Sequence, residues 1–490
     1  MKKGLKFYIA LWGAKAGTVL LKIFRRNASF FPGKFAIKVC KDFIGKIEKP
    51  RTIVAVTGTN GKTTVCNMIE DILKDNNYIF IDNRYGSNID AGVATALISG
   101  ATMMGKAKKD LAVFEVDERS SPKIYPYMTP TYLVCTNLFR DSLMRNAHTE
   151  FISEILTRNI PKETTLILNG DDLIASNIAP ENNRIYFGID RLDTDGDKCI
   201  NIARDIIVCP KCNSKLVYDY VRYNHIGKAH CPNCDFKSPD TDYLATKLDL
   251  ENMKLTLKNG EMEEEYDLIS DNIINIYNIV TVITVLKQLG LSRDQINDSL
   301  KKQKIVDTRY SEETVNGIKV VTHLAKGMNP IACSRVFDYV RKYKGKKAVI
   351  LLLDDLHEAA KGSENTAWQY DTDYEFLNDD SITQIIIAGA RYLDGLVRLE
   401  IAGISKDKIV YQRDELSAVD KFNLEGIDTV FILHDLYSIK LKEAVKAKVE
   451  LMLKSWNRIT ILALSNFAWN LINVHQVRLI NFKLVFLAKI

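Results

Sequence analysis

Thr57-Gly-Thr-Asn-Gly-Lys-Thr-Thr64 follows the apolar run Ile53-Val-Ala-Val56 and opens a segment in which Val65, Met68, Ile69, Ile72 and Leu73 recur at helical spacing. A buried strand, a glycine turn and an amphipathic helix in that order make a phosphate-holding loop. Gly58 and Gly61 let the backbone turn so that several N–H groups face one anion, and the helix start adds the positive end of its dipole. Thr59, Asn60 and Thr64 complete the loop. Lys62 is placed to reach terminal phosphates, and the Thr63 hydroxyl to ligate Mg²⁺. An ATP site is the expectation. The spacing departs from GxxxxGK[ST], whose first glycine would fall at Val56; here Gly58 stands three residues before Gly61.

Outward from the loop, short β-branched runs alternate with helical patterns. Leu111–Val116, Thr131–Cys135, Thr165–Leu168 and Arg184–Phe187 read as buried strands, and the alternation predicts βαβ units with a mainly parallel sheet. Ligands in such sheets sit at the carboxyl ends of strands. Glu115 lies there, with Asp117 and Glu118 just beyond it, and is the expected partner of Thr63 on the metal. The pattern breaks between about 195 and 240, resumes at Asn275-Ile-Tyr-Asn278, and gives way near Val315 to a second α/β unit. The expected domains are an amphipathic helical arm at 1–45, a central ATP-binding domain at 46–300 with an insert at about 200–240, a C-terminal α/β domain at 301–445, and a helical tail at 446–490.

The insert holds Cys209-Pro-Lys-Cys212 and Cys231-Pro-Asn-Cys234. Each knuckle puts two thiolates on one tight turn, and the doubled form suits tetrahedral Zn²⁺ better than a redox pair. His225 and His230 lie nearby, but four cysteines already close the shell, so the metal is expected to be structural. The other five cysteines have no pairing pattern, which fits a reducing cytosol.

Composition sets limits. The 490 residues are 46% apolar and 26% charged with net charge +6, a balance that suits phosphate ligands or an anionic membrane surface and is too weak for a nucleic-acid binder. Met1-Lys2-Lys3 before the run Phe7–Phe24 has the look of a secretory leader, yet Lys15 and Lys22 interrupt it and no A-x-A site follows. An amphipathic helix, packed on the protein or lying on a membrane, fits better. No apolar stretch reaches transmembrane length.

The short loop GTNGKTT is typical of Mur ligases and folylpolyglutamate synthases. Asn83-Arg-Tyr-Gly-Ser-Asn88, Glu115-Val-Asp-Glu118, Thr136-Asn137 with Arg140-Asp141, Asn169-Gly-Asp-Asp172, the four-cysteine insert and Asn275-x-x-Asn278 follow in Mur-ligase order. With Ala367-Trp-Gln-Tyr-Asp-Thr-Asp373, the set resembles the MurT family, the Mur-ligase-like subunits of lipid II isoglutaminyl synthase that pair with the glutaminase GatD. The resemblance implies an ATP-dependent carbon–nitrogen ligase of peptidoglycan biosynthesis, cytoplasmic and peripheral at the inner membrane face. It would turn the α-carboxyl of D-glutamate in the lipid II stem peptide into an acyl phosphate for amidation. It also implies that Asn275 and Asn278 contact adenine, that Arg309 contacts phosphate, and that Asn83 and Asn88 contact substrate. None of the five unpaired cysteines sits in a nucleophile elbow, which agrees with ammonia coming from a separate class I glutaminase, free ammonia being the competing source.

The chain departs from that family where an aspartate is expected to complete the partner's Cys-His pair. Asn365 stands there, in Ala360-Lys-Gly-Ser-Glu-Asn365, with Glu364 beside it and Asp354 and Asp355 as further candidates. An amide orients an imidazole but does not stabilise imidazolium by charge. Met144 and Asn146-Ala-His148 likewise replace a more acidic stretch, and Lys326-Gly-Met-Asn329 is a shortened loop. Plainer roles are open for several residues: Trp368 and Tyr370 as core, Asp171 and Asp172 as turn caps, Arg391 as a surface ion pair. The alternatives in function are another Mur or folylpolyglutamate-type amino acid ligase, and a zinc-ribbon ATPase scaffold without ligase activity.

Overall fold

Buried β-branched runs separated by amphipathic helices wind the first of two units, Met1–Val306, around a nine-stranded sheet. The computed structural model describes residues 3–141, 148–303, 310–353, 366–436 and 438–455. Strands β1 (Thr52–Thr57), β2 (Phe80–Asp82), β3 (Leu111–Glu115), β4 (Tyr132–Cys135), β5 (Thr165–Asn169) and β6 (Arg184–Ile189) pair in parallel in the spatial order β6-β5-β4-β1-β3-β2. Hairpin strands β7 (Val217–Tyr223) and β8 (Ile226–His230) form the cysteine insert. Three more, β9 (Tyr243–Asp249), β10 (Lys254–Asn259) and β11 (Met262–Asp267), extend the sheet beyond β6; β9 joins in parallel, and β10 and β11 run antiparallel.

The expected α/β fold with its parallel-rich sheet is what forms. The central strands are buried on both faces, as their unbroken Val, Ile and Leu content requires. Strand order reverses at β1, whose neighbours β3 and β4 come later in the chain on opposite sides. That reversal opens a crevice at the strands' carboxyl ends, and the glycine loop occupies it.

The N-terminal segment belongs to this core. Helix Leu5–Ile23 buries Phe7, Ala10, Leu11 and Ala14, and Phe7 stacks on Phe43 with ring centroids 5.3 Å apart.

The second unit, Asp307–Ile490, is built on a six-stranded sheet. Its strands are β12 (Tyr310–Val315), β13 (Ile318–Leu324), β14 (Lys347–Leu352), β15 (Ile382–Ala388), β16 (Ile409–Gln412) and β17 (Thr429–His434), in the order β12-β13-β17-β14-β15-β16. All pairs are parallel except β12–β13. Two apolar clusters cover the sheet, and helical residues 439–455 bury Val445, Val449 and Leu453 in one of them. Trp368 is buried in the other, as expected. Tyr370 is not core: it is 49% exposed, because the short helix Trp368–Asp371 buries Trp368 and Gln369 and turns the next residue outward.

Candidate active site

The loop has the backbone its glycines predict. Gly58 and Gly61 take φ of +124° and +88°, in the left-handed range. A Cβ at Gly58 would stand 2.3 Å from Thr136 Oγ1, and one at Gly61 2.4 Å from Asn278 Oδ1. Helix Lys62–Asp75 begins directly after Gly61 with no side-chain cap, so its first N–H groups are left for an anion. Neighbouring strands brace the turn. Asn137 accepts from the Asn60 N–H (3.0 Å) and donates to its carbonyl (3.0 Å), while Thr59 Oγ1 donates to the Phe139 carbonyl (3.1 Å). Asn60 Nδ2 is buried without a hydrogen-bond partner among the described residues. A phosphate cradle fits this arrangement: left-handed glycines, an uncapped helix start and a lysine at its first position.

Three acids stand over the loop. Thr63 Oγ1 donates to Glu115 Oε2 (2.8 Å), and Asn88 Nδ2 donates to Glu115 Oε1 (3.0 Å). Thr63 and Glu115 are therefore adjacent hard-oxygen donors of the kind Mg²⁺ takes. Lys62 Nζ donates to Glu118 Oε1 at 2.9 Å and to the Gly58 carbonyl, and the Gly58 N–H donates to the same Glu118 oxygen at 2.9 Å. Burial works to lower the Lys62 pKa. The charge of Glu118, then of Glu115 and Asp117, outweighs it and holds the ammonium above the ordinary lysine value. Lys62 is thus a fixed cation aimed at the loop.

Glu118 is the residue that reading the sequence did not assign. A short 3-10 turn, Glu118–Ser120, capped by the Asp117 side chain, points it back onto the loop 56 to 60 residues earlier. The one available signal was its place three residues beyond a strand-end glutamate.

The other expected site residues divide. The Asn83 amide donates to the Glu115 carbonyl (2.9 Å) and accepts from the Glu115 N–H (2.9 Å), tying segment 83–88 to the end of β3. Asn88 stays beside the acid. A cavity of about 480 Å³ opens next to this segment, lined by Thr18, Lys22, Asn83, Tyr85 and Lys109 among others. Asn278 packs under Gly61, whereas Asn275, one turn earlier, is partly exposed and donates to Ser270 Oγ (3.1 Å). Asp172 caps its turn, accepting from the N–H groups of Ile174 and Ala175 at 2.9 Å each. Arg391 lies 3.8 Å from Asp394 one turn along its helix. Arg309, Glu364, Asn365, Asp354, Asp355, Met144 and Asn146 lie outside the described residues.

On the buried face of the loop helix, Glu70 is 1% exposed and neither carboxyl oxygen has a hydrogen bond among the described residues. Arg84 passes 3.6 Å away but is committed to Asp71, its Nη2 donating to Oδ2 at 2.8 Å. Burial, and then the charge of Asp82, push the Glu70 carboxyl from 4.5 up to about 8. A raised acid favours the protonated form in the folded state. Its contribution is therefore complete below about pH 4.5 and lost as pH rises through 8. Glu70→Gln should flatten the stability profile across that window and stabilise the protein at pH 8.5 by roughly 2–4 kcal/mol. Urea unfolding at pH 5 and pH 8.5 checks this; equal pH slopes for both proteins would refute it.

The four knuckle cysteines come together at the tip of the insert, with all four sulfurs within 4.8 Å of one another. Cys209 and Cys234 lie 3.5 Å apart and Cys212 and Cys231 3.3 Å, close to the ~3.8 Å edge of a tetrahedron with Zn–S of about 2.3 Å. The histidines are employed elsewhere: His225 Nε2 lies 3.2 Å from Asp172 Oδ1, and His230 Nδ1 lies 3.0 Å from Asp219. A four-thiolate zinc shell fits. Among the remaining cysteines, burial pushes the Cys66, Cys135 and Cys333 thiols well up.

A phosphate loop whose threonine meets a strand-end acid and whose lysine meets an acid just beyond it, at the switch point of a parallel sheet, defines a Mur-ligase-type, ATP-dependent ligase. Residues 56–218 match the family model of the Mur ligase middle domain, and residues 324–438 that of the MurT ligase C-terminal domain. The fold resembles a pseudomurein peptide ligase type C from Methanothermus fervidus, with TM-score 0.61 and 21% identity over 82% of this chain and 79% of that one. Among curated proteins, the MurT subunit of the glutamine-hydrolysing lipid II isoglutaminyl synthase of Staphylococcus aureus (strain COL) is 31% identical over 421 residues. The match spans 85% of this chain and 92% of that protein. The corresponding subunit of Streptococcus pneumoniae (strain ATCC BAA-255 / R6) is 28% identical over 410 residues, 83% of this chain and 89% of the other. The chain belongs to the MurT family.

Proposed function

We propose that this protein activates the α-carboxyl of D-glutamate in the stem peptide of lipid II for amidation to D-isoglutamine, with ammonia from a GatD-type class I glutaminase. The observation that carries the reading is the position of Glu115, hydrogen-bonded to Thr63 of the phosphate loop on one side and to Asn88 on the other, where Asn83, Tyr85 and Gly86 of the same segment line a 480 Å³ cavity. Phosphate donor and acceptor acid then meet across one carboxylate.

A carboxylate is a poor electrophile. One of its oxygens attacks the γ-phosphorus of ATP, ADP leaves, and the resulting acyl phosphate has a competent leaving group; ammonia then adds to the carbonyl carbon and phosphate departs. Lys62, held charged by Glu118, neutralises negative charge that builds on the transferring phosphoryl group. Mg²⁺ bound by Thr63 and Glu115 would supply further charge neutralisation. Asn275 and Asn278 are the proposed adenine contacts and Arg309 the proposed phosphate contact, Asn278 also packing under Gly61. Zn²⁺ in the four-cysteine shell is structural, since four thiolates leave no open position.

Nitrogen supply is where this chain differs from its relatives' expected pattern. We assign Asn365, with Glu364 as the charged neighbour, to the place where the partner's catalytic histidine is oriented. The test is amidation of lipid II by the chain with a class I glutaminase, fed either glutamine or ammonium, in native and Asn365→Asp forms. Ammonium should support amidation in both, and Asn365→Asp should raise the glutamine-dependent rate by about tenfold or more. Failure to amidate with either nitrogen source, together with no effect of lipid II on ATP turnover, would discard the proposal.

A further inference from the structure

Helix Leu5–Ile23 is apolar in two opposite directions. One face, Phe7, Ala10, Leu11 and Ala14, is buried in the core. On the other, Leu5, Ile9, Trp12, Val19, Leu20 and Ile23 recur at helical spacing in a stripe that runs the helix's full length and stands exposed, Leu5 by 75% and Ile23 by 69%. Phe24, Phe30 and Phe31 continue it past the helix end, and the Trp12 indole N–H, donating to the Met103 carbonyl at 2.9 Å, brings exposed Met103 and Met104 alongside. Single exposed apolar side chains are ordinary; a contiguous row of this length is not.

Charge selects the occupant. Every charged residue before Asp42 is a lysine or arginine. Lys3 and Lys15 are turned inward onto backbone carbonyls, but Lys6, Lys22, Arg25, Arg26 and Lys34 are exposed around the stripe. No helix among the described residues is long and apolar enough to cross a membrane. An apolar stripe edged by cations and too short to span matches a surface that is anionic outside and hydrocarbon beneath.

We propose that this arm docks the protein on an anionic bilayer surface, with the stripe immersed among the acyl chains and the basic residues at the headgroups. The geometry gives docking a purpose. Thr18 and Lys22, near the end of the same helix, line the cavity that also holds Asn83 and Tyr85. A docked arm therefore brings the acceptor cavity to the membrane, where a lipid-linked peptide would enter. This last step rests on the proposed function; docking itself does not.

Flotation of the full-length protein with vesicles tests it, using phosphatidylglycerol–phosphatidylcholine mixtures against pure phosphatidylcholine, both without lipid-linked peptide. Binding should require the anionic lipid and weaken with salt. Leu20→Glu/Ile23→Glu and, separately, Lys6→Glu/Arg26→Glu should each weaken it by about tenfold or more. The unfolding midpoint should hold, because these side chains are already exposed. No flotation with anionic vesicles, or flotation indifferent to both double variants, overturns the proposal. So does a result in which the variants leave vesicle binding intact and instead release a protein partner or change the oligomeric state, which would make the stripe a protein interface. Vesicles free of substrate keep this outcome separate from any failure of the amidation assay.

Discussion

Lys62→Ala should lower ATP turnover by about 10²–10³-fold or more, a loss of roughly 3–4 kcal/mol of transition-state stabilisation. The size follows from burial. Lys62 has 14% side-chain exposure and Glu118 has 4%, so the lysine's charge acts on the phosphoryl group with little water between them. The substitution does a second thing, however. It leaves Glu118 as a buried carboxylate with the Gly58 N–H as its remaining donor among the described residues, and an uncompensated buried charge costs several kcal/mol of stability. Loss of turnover could then reflect a loosened loop. The double variant Lys62→Ala/Glu118→Gln separates the two effects, because a neutral amide needs no counter-charge. Its urea midpoint should recover most of the loss while turnover stays low. Steady-state ATP hydrolysis and equilibrium unfolding on the three proteins decide it. Normal turnover in Lys62→Ala would remove the basis for reading this loop as the catalytic phosphate site.

What could be seen in advance follows from how locally each feature is encoded. The strand, turn and helix around residues 52–75 are written in contiguous residues, and so are the buried strands β3 to β6, whose apolar runs have no other use. The four-cysteine site was legible because thiolate spacing on a tight turn is itself local. Glu118 was not, since its role depends on a turn that folds it back on a loop far earlier in the chain. The β9–β11 extension was hidden for a different reason. Met262-Glu-Glu-Glu-Tyr-Asp267 is a poor strand by composition, and forms one because edge position exposes its glutamates while Lys287 and Lys254 pair with Glu264 and Glu265. Tyr370 was misplaced because adjacency to Trp368 says nothing about which way a four-residue helix turns. The exposed stripe on the arm was only half legible: the pattern showed an apolar helix, and its two opposed faces emerged once one of them was seen to be buried.

Removing zinc, or replacing Cys209 or Cys231 by alanine, should cost several kcal/mol and unfold the insert first. The apolar cluster under the insert's tip holds Cys209, Leu216, Ala229, Cys231 and Phe236 with Leu173 from the turn after β5, two of the ligands being among its buried members. So small a core does not hold a hairpin by itself, whereas a four-thiolate zinc shell contributes on the order of 10 kcal/mol in small zinc modules. The loss should not stop at the tip. Arg222 on β7 reaches Asp195 at 2.7 Å and Asp171 at 3.4 Å, and Tyr277 donates to Asp171 at 2.7 Å, so the hairpin is keyed to the turn after β5 and to the helix carrying Asn275 and Asn278. His225 packs on Phe139, with ring centroids 4.6 Å apart, and the Phe139 N–H donates to Thr59 of the phosphate loop at 2.9 Å. Metal release should therefore raise the KM for ATP as well as lower the unfolding midpoint. Hydrogen exchange should increase first across residues 217–230 and then across 165–173. Metal analysis should find one zinc per chain, and thiol titration should show these four cysteines protected until a chelator is added. A chain that keeps its unfolding midpoint and its ATP KM after losing the metal would show that the knuckles are held by the fold alone.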